Sequence, residues 1–220
     1  MQMLIHFTDF NNATNVINSS HQQSWNELEQ TLLNMPLFLK SSAQTGKQGQ
    51  AIFDPIANNN FLLNALSQNS WQAAYPMPAQ FVFFGDNIDY AKNGTLVEVQ
   101  FSNYPFLINN VTRADILYKT HTAMHNNQAV ELLVIITRFN CLPASNSTLY
   151  YEQAINQLTS MVAQGMISIP IRLVGIYETI TQTQAYWTHY TGGVSSRTIS
   201  NQGMQNVQIT EKPSGKLHIM

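Results

Sequence analysis

The sequence predicts an α/β fold with a mixed central β-sheet flanked by helices. Three observations predict it. The turn dipeptide Asn93-Gly94 lies between two extended stretches, the runs Leu132 to Ile136 and Ile171 to Tyr177 are almost continuously apolar, and segments of helical length separate them. A hairpin supplies antiparallel pairing and strand–helix–strand crossovers supply parallel pairing, so one sheet holds both.

Trp25, Leu28, Leu32 and Met35 recur three and four apart before Pro36, which predicts an amphipathic helix over 25–35. A loop rich in Gly, Gln and Ser follows at 41–50, then a shorter helix at 55–67, and Pro76 and Pro78 break the chain. Strands are expected at Phe81 to Phe84 and Leu96 to Phe101, joined as a hairpin through Asn93-Gly94. Asn103 is placed to cap a long helix reaching about Met124, with Pro105 tolerated in its first turn. A buried strand at 129–138 comes next, then a helix at 150–163 entered through Ser145-Asn146-Ser147, then a strand at 171–177. From about Thr179 the periodicity fades, so the final segment is expected to be irregular or to carry short strands. The length of 220 residues favours one domain over 1–220.

Hydrophobic residues make up 44% of the chain and charged residues only 10%, against about 25% in ordinary soluble proteins. Neutral amides, 23 Asn and 20 Gln, replace much of the usual charged surface. The single Cys141 excludes an internal disulfide framework and a cysteine-rich zinc site. The opening MQMLIHFTDF has neither a basic leader nor an apolar run of signal length, and no apolar window spans a bilayer, so a cytoplasmic location without membrane contact is expected. A net charge of -2 argues against gripping nucleic acid by bulk positive charge, but it leaves room for reading bases with Asn, Gln and Ser.

Glu98 and Gln100 are two apart on one strand and share a face. With Asn93-Gly94 as the loop, Lys92 pairs with Thr95 and the register continues until Asp89 stands opposite Glu98. Two carboxylates and a neighbouring carbonyl, that of Val99, are the oxygen donors a hard cation such as Mg²⁺ prefers, and such a site suits phosphodiester hydrolysis. Gln100 can orient a water but does not titrate near neutrality. Proton acceptance would fall to a hydroxide on the metal, the substrate phosphate or another water. Spacing alone favours the plainer reading of a solvated polar face.

Longer blocks go further. Thr95 to Asn110 (TLVEVQFSNYPFLINN), Pro143 to Leu158 (PASNSTLYYEQAINQL) and Pro170 to Gly175 (PIRLVG), with shorter matches at Leu28 to Leu37, IFDP from Ile52 and SRTI from Ser196, resemble the BglII family of type II restriction endonucleases, within the PD-(D/E)XK nuclease superfamily. The resemblance implies a restriction-endonuclease-like fold, a homodimer, double-stranded DNA as partner, Mg²⁺ as cofactor and a cognate DNA methyltransferase in the same system. It assigns Asp89, Glu98 and Gln100 to catalysis, with Gln where most relatives carry Lys, and Asp89, Glu98 and Val99 to the metal. It assigns base contacts to Ser102, Asn103, Asn146 and Ser147 and a DNA contact to Arg197. Asn and Ser suit direct readout in the major groove, although the same residues also suit helix starts. The implied target is a palindromic hexamer centred on GATC, AGATCT cut after its first base to leave 5′ overhangs, and the helices at 103–124 and 150–163 are the candidate subunit interface. Two positions depart from the family pattern: Ala74 stands for an accessory Asn and Ser195 for a Tyr. A sequence-specific DNA-binding protein without catalysis is the alternative.

Overall fold

The computed structural model describes residues 3–101, 104–145, 148–192 and 196–220. In chain order the elements are β1 (Leu4–Phe10), α1 (Ala13–Val16), a π-helical turn (Ile17–His21), α2 (Gln22–Leu33), β2 (Phe38–Ser41), β3 (Ala51–Phe53), α3 (Pro55–Gln68) and β4 (Gln72–Pro76). A 3₁₀ helix (Ala79–Phe84), β5 (Asn87–Lys92), β6 (Thr95–Val99), α4 (Phe106–Lys119) and a short 3₁₀ turn (His125–Asn127) follow. The chain ends with β7 (Leu132–Arg138), α5 (Tyr151–Ala163), β8 (Ile171–Tyr177), β9 (Thr181–Tyr190), β10 (Ile199–Glu211) and β11 (Leu217–Ile219).

The expected mixed α/β architecture is present. Six strands form the main sheet in the order β1-β8-β7-β6-β5-β4, with β6, β7 and β8 parallel and the remaining pairs antiparallel. Every residue of β7 is buried, because helices or a second sheet cover both faces. One face carries Leu96, Leu133, Ile135 and Leu173 against Leu107, Val111 and Leu117 of α4 and Ala154 and Leu158 of α5. The other carries Val97, Val134, Ile136 and Val174 against Trp25, Leu28 and Leu32 of α2, Leu62 and Leu66 of α3, and Phe53, Val207 and Ile209 of the second sheet.

Asn93 (φ 45) and Gly94 (φ 78) form the two-residue turn, and Lys92 pairs with Thr95 as the register requires. A Cβ on Gly94 would stand 2.6 Å from the Ala129 carbonyl oxygen, so the turn also needs glycine for the close approach of the chain leading into β7.

Several boundaries and one element differ from expectation. Phe81 to Phe84 is not a strand but the end of the 3₁₀ helix. Pro78 sets its start and Gly85 (φ 133) its end, and the run offers no alternating face, leaving Phe83 74% exposed. The strand paired with β6 is β5 instead, where the buried Ile88 and Tyr90 alternate with the exposed Asn87 and Asp89 before the strand becomes buried throughout at Tyr90 to Lys92. Helix α4 starts at Phe106, after Pro105, and ends at Lys119, because His121 adopts a left-handed conformation (φ 48). α5 begins at Tyr151 with Tyr150 as its N-cap, whose N–H donates to the Gln153 side chain, while Asn146 and Ser147 of the expected entry lie outside the described residues.

The segment after Thr179 is regular. β9 and β10 pair antiparallel over most of their length and, with β11, β2 and β3, build a second five-stranded sheet. Most of β10 is solvent-exposed and polar, so its strand character rests on backbone hydrogen bonds and leaves little alternation in the sequence.

Candidate active site

β5 and β6 bring two acidic groups together. The ladder pairs Tyr90 with Val97, and one residue further out the Asp89 carboxylate accepts the Val99 backbone N–H at 2.8 Å. The Asp89 and Glu98 carboxyl groups stand close enough for each to shift the other's proton affinity. Glu98 is 1% exposed, whereas Asp89 faces solvent on one side, at a shallow pocket of about 320 Å³ walled by Asn59, Asn60, Ala74 and Asn87.

The far side of the pair is held by α4. Arg113, itself buried, donates through Nη2 to Glu98 Oε1 at 2.5 Å, and three residues earlier Asn110 donates through Nδ2 to Gln100 Oε1 at 3.1 Å. One turn of helix therefore clamps positions 98 and 100 of the neighbouring strand. The Gln100 N–H donates to Ile136 O at 2.7 Å, which extends the β6–β7 ladder beyond Val99. Asn110 and Arg113 were not among the residues singled out from the sequence. Their signal is two polar side chains three apart on the face that otherwise carries Leu107, Val111, Ala114 and Leu117.

Burial, first, and then the neighbouring Asp89 push the Glu98 carboxyl up to about 8, against the opposing pull of Arg113. Burial also raises Asp89, opposed by the Val99 N–H and by Arg113, and its solvent-facing side makes the desolvation less complete than at Glu98. A cation between the two groups would relieve this strain, since it replaces a shared proton by a full positive charge. The donors fit a hard ion: carboxylate oxygens brought together across the β5–β6 ladder. Among the described residues no third Asp, Glu, His or Cys joins them.

Ala74 occupies the position opposite Asp89 on β4, between the pairs Ala73–Tyr90 and Tyr75–Ile88, and it does so in the left-handed region (φ 46). Its methyl group offers neither a donor nor an acceptor to the pocket.

Four of the residues expected to read bases, Ser102, Asn103, Asn146 and Ser147, lie outside the described residues, as does Ser195. Arg197 is exposed just ahead of β10 and makes no ion pair among the described residues. His121 and His125 do not share a helix, and His125 Nδ1 accepts the Asn93 N–H at 3.3 Å. Tyr186 packs on Phe38 with ring centroids 5.3 Å apart, and the Tyr190 hydroxyl donates to Asp54 at 2.6 Å, so these aromatics serve the second sheet. No helix among the described residues is long and apolar enough to cross a membrane.

The chain is similar to known proteins. The family model of restriction endonucleases BglII/BglIII matches residues 5–176. The type II restriction enzyme BglII of Bacillus subtilis is 43% identical over 199 residues, covering 90% of this chain and 87% of the relative. The crystal structure of restriction endonuclease BglII complexed with a DNA 16-mer superposes with a TM-score of 0.93 at 40% identity, covering 99% of each chain. That of free BglII superposes with a TM-score of 0.76 at 38% identity, covering 99% of this chain and all of the other. With a matching family model over most of its length and this degree of identity and shape, the chain belongs to the BglII/BglIII family of type II restriction endonucleases.

Proposed function

We propose that the protein is a homodimeric, Mg²⁺-dependent endonuclease that cuts double-stranded DNA at a palindromic hexamer centred on GATC, AGATCT after its first base. The observation that carries the reading is the juxtaposed Asp89–Glu98 pair, with Asp89 accepting from the Val99 N–H and Glu98 held by Arg113, at the edge of an open pocket. The 43% identity to BglII supports the choice of target.

In this reading Asp89, Glu98 and the Val99 carbonyl hold the divalent cation. When bound, such an ion polarises the phosphoryl oxygen, helps ionise water and neutralises the leaving alkoxide. Arg113 fixes one oxygen of Glu98 and leaves the other to face Asp89. Gln100, anchored by Asn110, positions polar groups beside the scissile phosphate but accepts no proton, because an amide does not titrate in this range. Base recognition falls to Ser102, Asn103, Asn146 and Ser147, with Arg197 on the DNA.

A twofold dimer places one site on each strand of a palindrome. α4 leaves Phe106 and Ile108 53% and 54% exposed, an apolar surface suited to a second copy of the chain. A methyltransferase acting on the same sequence would protect the host genome.

The test is a digest of DNA of known sequence with the fragment ends mapped, in Mg²⁺ and in chelator. Cuts at AGATCT that require the metal, and that Asp89→Ala abolishes while binding in Ca²⁺ persists, are the expected result. Discrete cuts at another sequence would refute the target. Specific binding with no cleavage under any divalent ion would favour a catalytically silent DNA-binding protein, a reading that the methyl group of Ala74 in the pocket favours.

A further inference from the structure

Ion pairs engage several of the cations among the described residues. Lys40, Lys92 and Lys119 are each within ion-pair distance of a carboxylate, on Asp54, Glu27 and Asp115, and Arg113 and Arg172 are paired with Glu98 and Asp9. The other three lysines, Lys47, Lys212 and Lys216, line one pocket of about 240 Å³, and no Asp or Glu lines it with them. Lys212 and Lys216 make no ion pair among the described residues. In a chain of net charge -2, three lysines around one pocket, with Glu211 the carboxylate at the turn (Oε1 3.9 Å from where a Cβ on Gly215 would stand), leave a local positive potential that the total charge conceals.

The pocket is built rather than incidental. It forms where the loop leaving β7 meets the second sheet: Phe53 N–H donates to Pro143 O at 2.9 Å, Leu217 N–H to Cys141 O at 2.8 Å, and Lys47 Nζ to Ala144 O at 3.2 Å. Arg138 adds to the potential from behind. It is 1% exposed, stacks on Phe53 and Tyr150, donates to the Leu142 and Pro143 carbonyls, and meets no carboxylate among the described residues.

Strand polarity sets its place. β6 and β7 run parallel with Val99 opposite Ile136, so the chain beyond Glu98 and the chain beyond Arg138 leave the sheet at the same end. Phe101 packs edge-on against Phe53 with centroids 5.1 Å apart, and Phe53 N–H is bonded to the pocket wall at Pro143, which places this basic pocket on the candidate active-site end of the molecule.

We infer that Lys212 and Lys216, with Lys47 beside them, form a subsite for a backbone phosphate of duplex DNA, away from the scissile bond and blind to sequence. The inference rests on the endonuclease reading for its ligand. Mobile lysine ammonium groups suit a phosphate as point charges without imposing a base preference. The turn that carries both is held by its backbone, with Lys212 N–H donating to Lys216 O at 2.8 Å and Gly215 N–H to Lys212 O at 2.9 Å, so the side chains can change without loss of the turn.

The test compares wild type, Lys212→Gln/Lys216→Gln and the control Lys119→Gln, binding an AGATCT duplex and a scrambled duplex in Ca²⁺ over a range of salt. Each phosphate contact contributes about -0.9 to the slope of log K against log salt, so the double variant should lose about two units of slope. The loss should be the same on both duplexes, with the melting temperature and the behaviour of the control unchanged. An unchanged slope, or a loss confined to AGATCT, overturns the subsite. If millimolar inorganic phosphate raises the melting temperature of wild type but not of the double variant, while the DNA slope is unchanged, the pocket takes free anions and the DNA assignment falls. If wild type binds both duplexes alike, the sequence-specific reading fails, and the slope on either duplex still decides the subsite.

Discussion

Cation binding at the Asp89–Glu98 pair should weaken steeply below about pH 8. In the metal-free protein Glu98 keeps its proton up to about 8, because it is buried and faces Asp89. A cation joining the two carboxylates has to displace that proton. Below the apparent pKa the ionised fraction falls tenfold per pH unit, so at pH 6 about one molecule in a hundred is ready, and the apparent affinity should be roughly 100-fold weaker than its plateau above pH 8.

Calorimetric titration with Ca²⁺ at pH 6, 7, 8 and 9, in buffers of different ionisation enthalpy, reads both quantities at once. About one proton should leave per ion at pH 6 to 7 and almost none at pH 9. Affinity that is level from pH 6 to pH 8, with no proton release, would refute the reasoning. The same proton acts on stability with a definite sign. Glu98 holds it more tightly when folded, at about 8, than at the ordinary value of 4.5, so this contribution is full below 4.5 and is lost as pH rises toward 8. Glu98→Gln should remove that part of the decline in melting temperature.

Three further outcomes follow from the packing around the site. Arg113→Met removes the one cation paired with Glu98, so the pH profile of cleavage should move to higher pH and the Mg²⁺ requirement should rise, as rate measurements across pH and metal concentration will show; an unmoved profile would contradict the role of Arg113. Ala74→Asn replaces an alanine at φ 46 by a residue that tolerates the left-handed region, and should stabilise by about 1 kcal/mol, a rise of roughly 2–4 °C in thermal unfolding. Gly175→Ala puts a methyl group 2.6 Å from Phe139 and 2.7 Å from Tyr151, and should destabilise by about 1–3 kcal/mol in chemical denaturation, while an unchanged midpoint would mean that the two rings shift freely.

Local pattern made much of the fold legible. The Asn93-Gly94 turn, the register of Lys92 with Thr95, the fully buried β7 with its apolar run Leu132 to Ile136 and the bounds of β8 follow from chain-neighbour chemistry and from burial on both faces of a sheet. So did the pairing of Asp89 with Glu98, because a two-residue hairpin dictates which side chains stand near one another. The four apolar residues Phe81 to Phe84 misled for the converse reason: hydrophobicity without alternation carries no face, and Pro78 and Gly85 made a helical turn of them.

What tertiary structure alone decided is non-local. Asn110 and Arg113 gained meaning only when α4 crossed β6 and set them against Gln100 and Glu98, since nothing in their neighbours names the strand they meet. The long β9–β10 pair forms through backbone hydrogen bonds that any polar sequence can make, so its residues carry little mark of it. The gathering of Lys47, Lys212 and Lys216 likewise depends on β11 docking beside Cys141. Periodicity records which face a residue turns to the core, whereas which distant segments share that core is settled by packing among surfaces that the chain brings together only on folding.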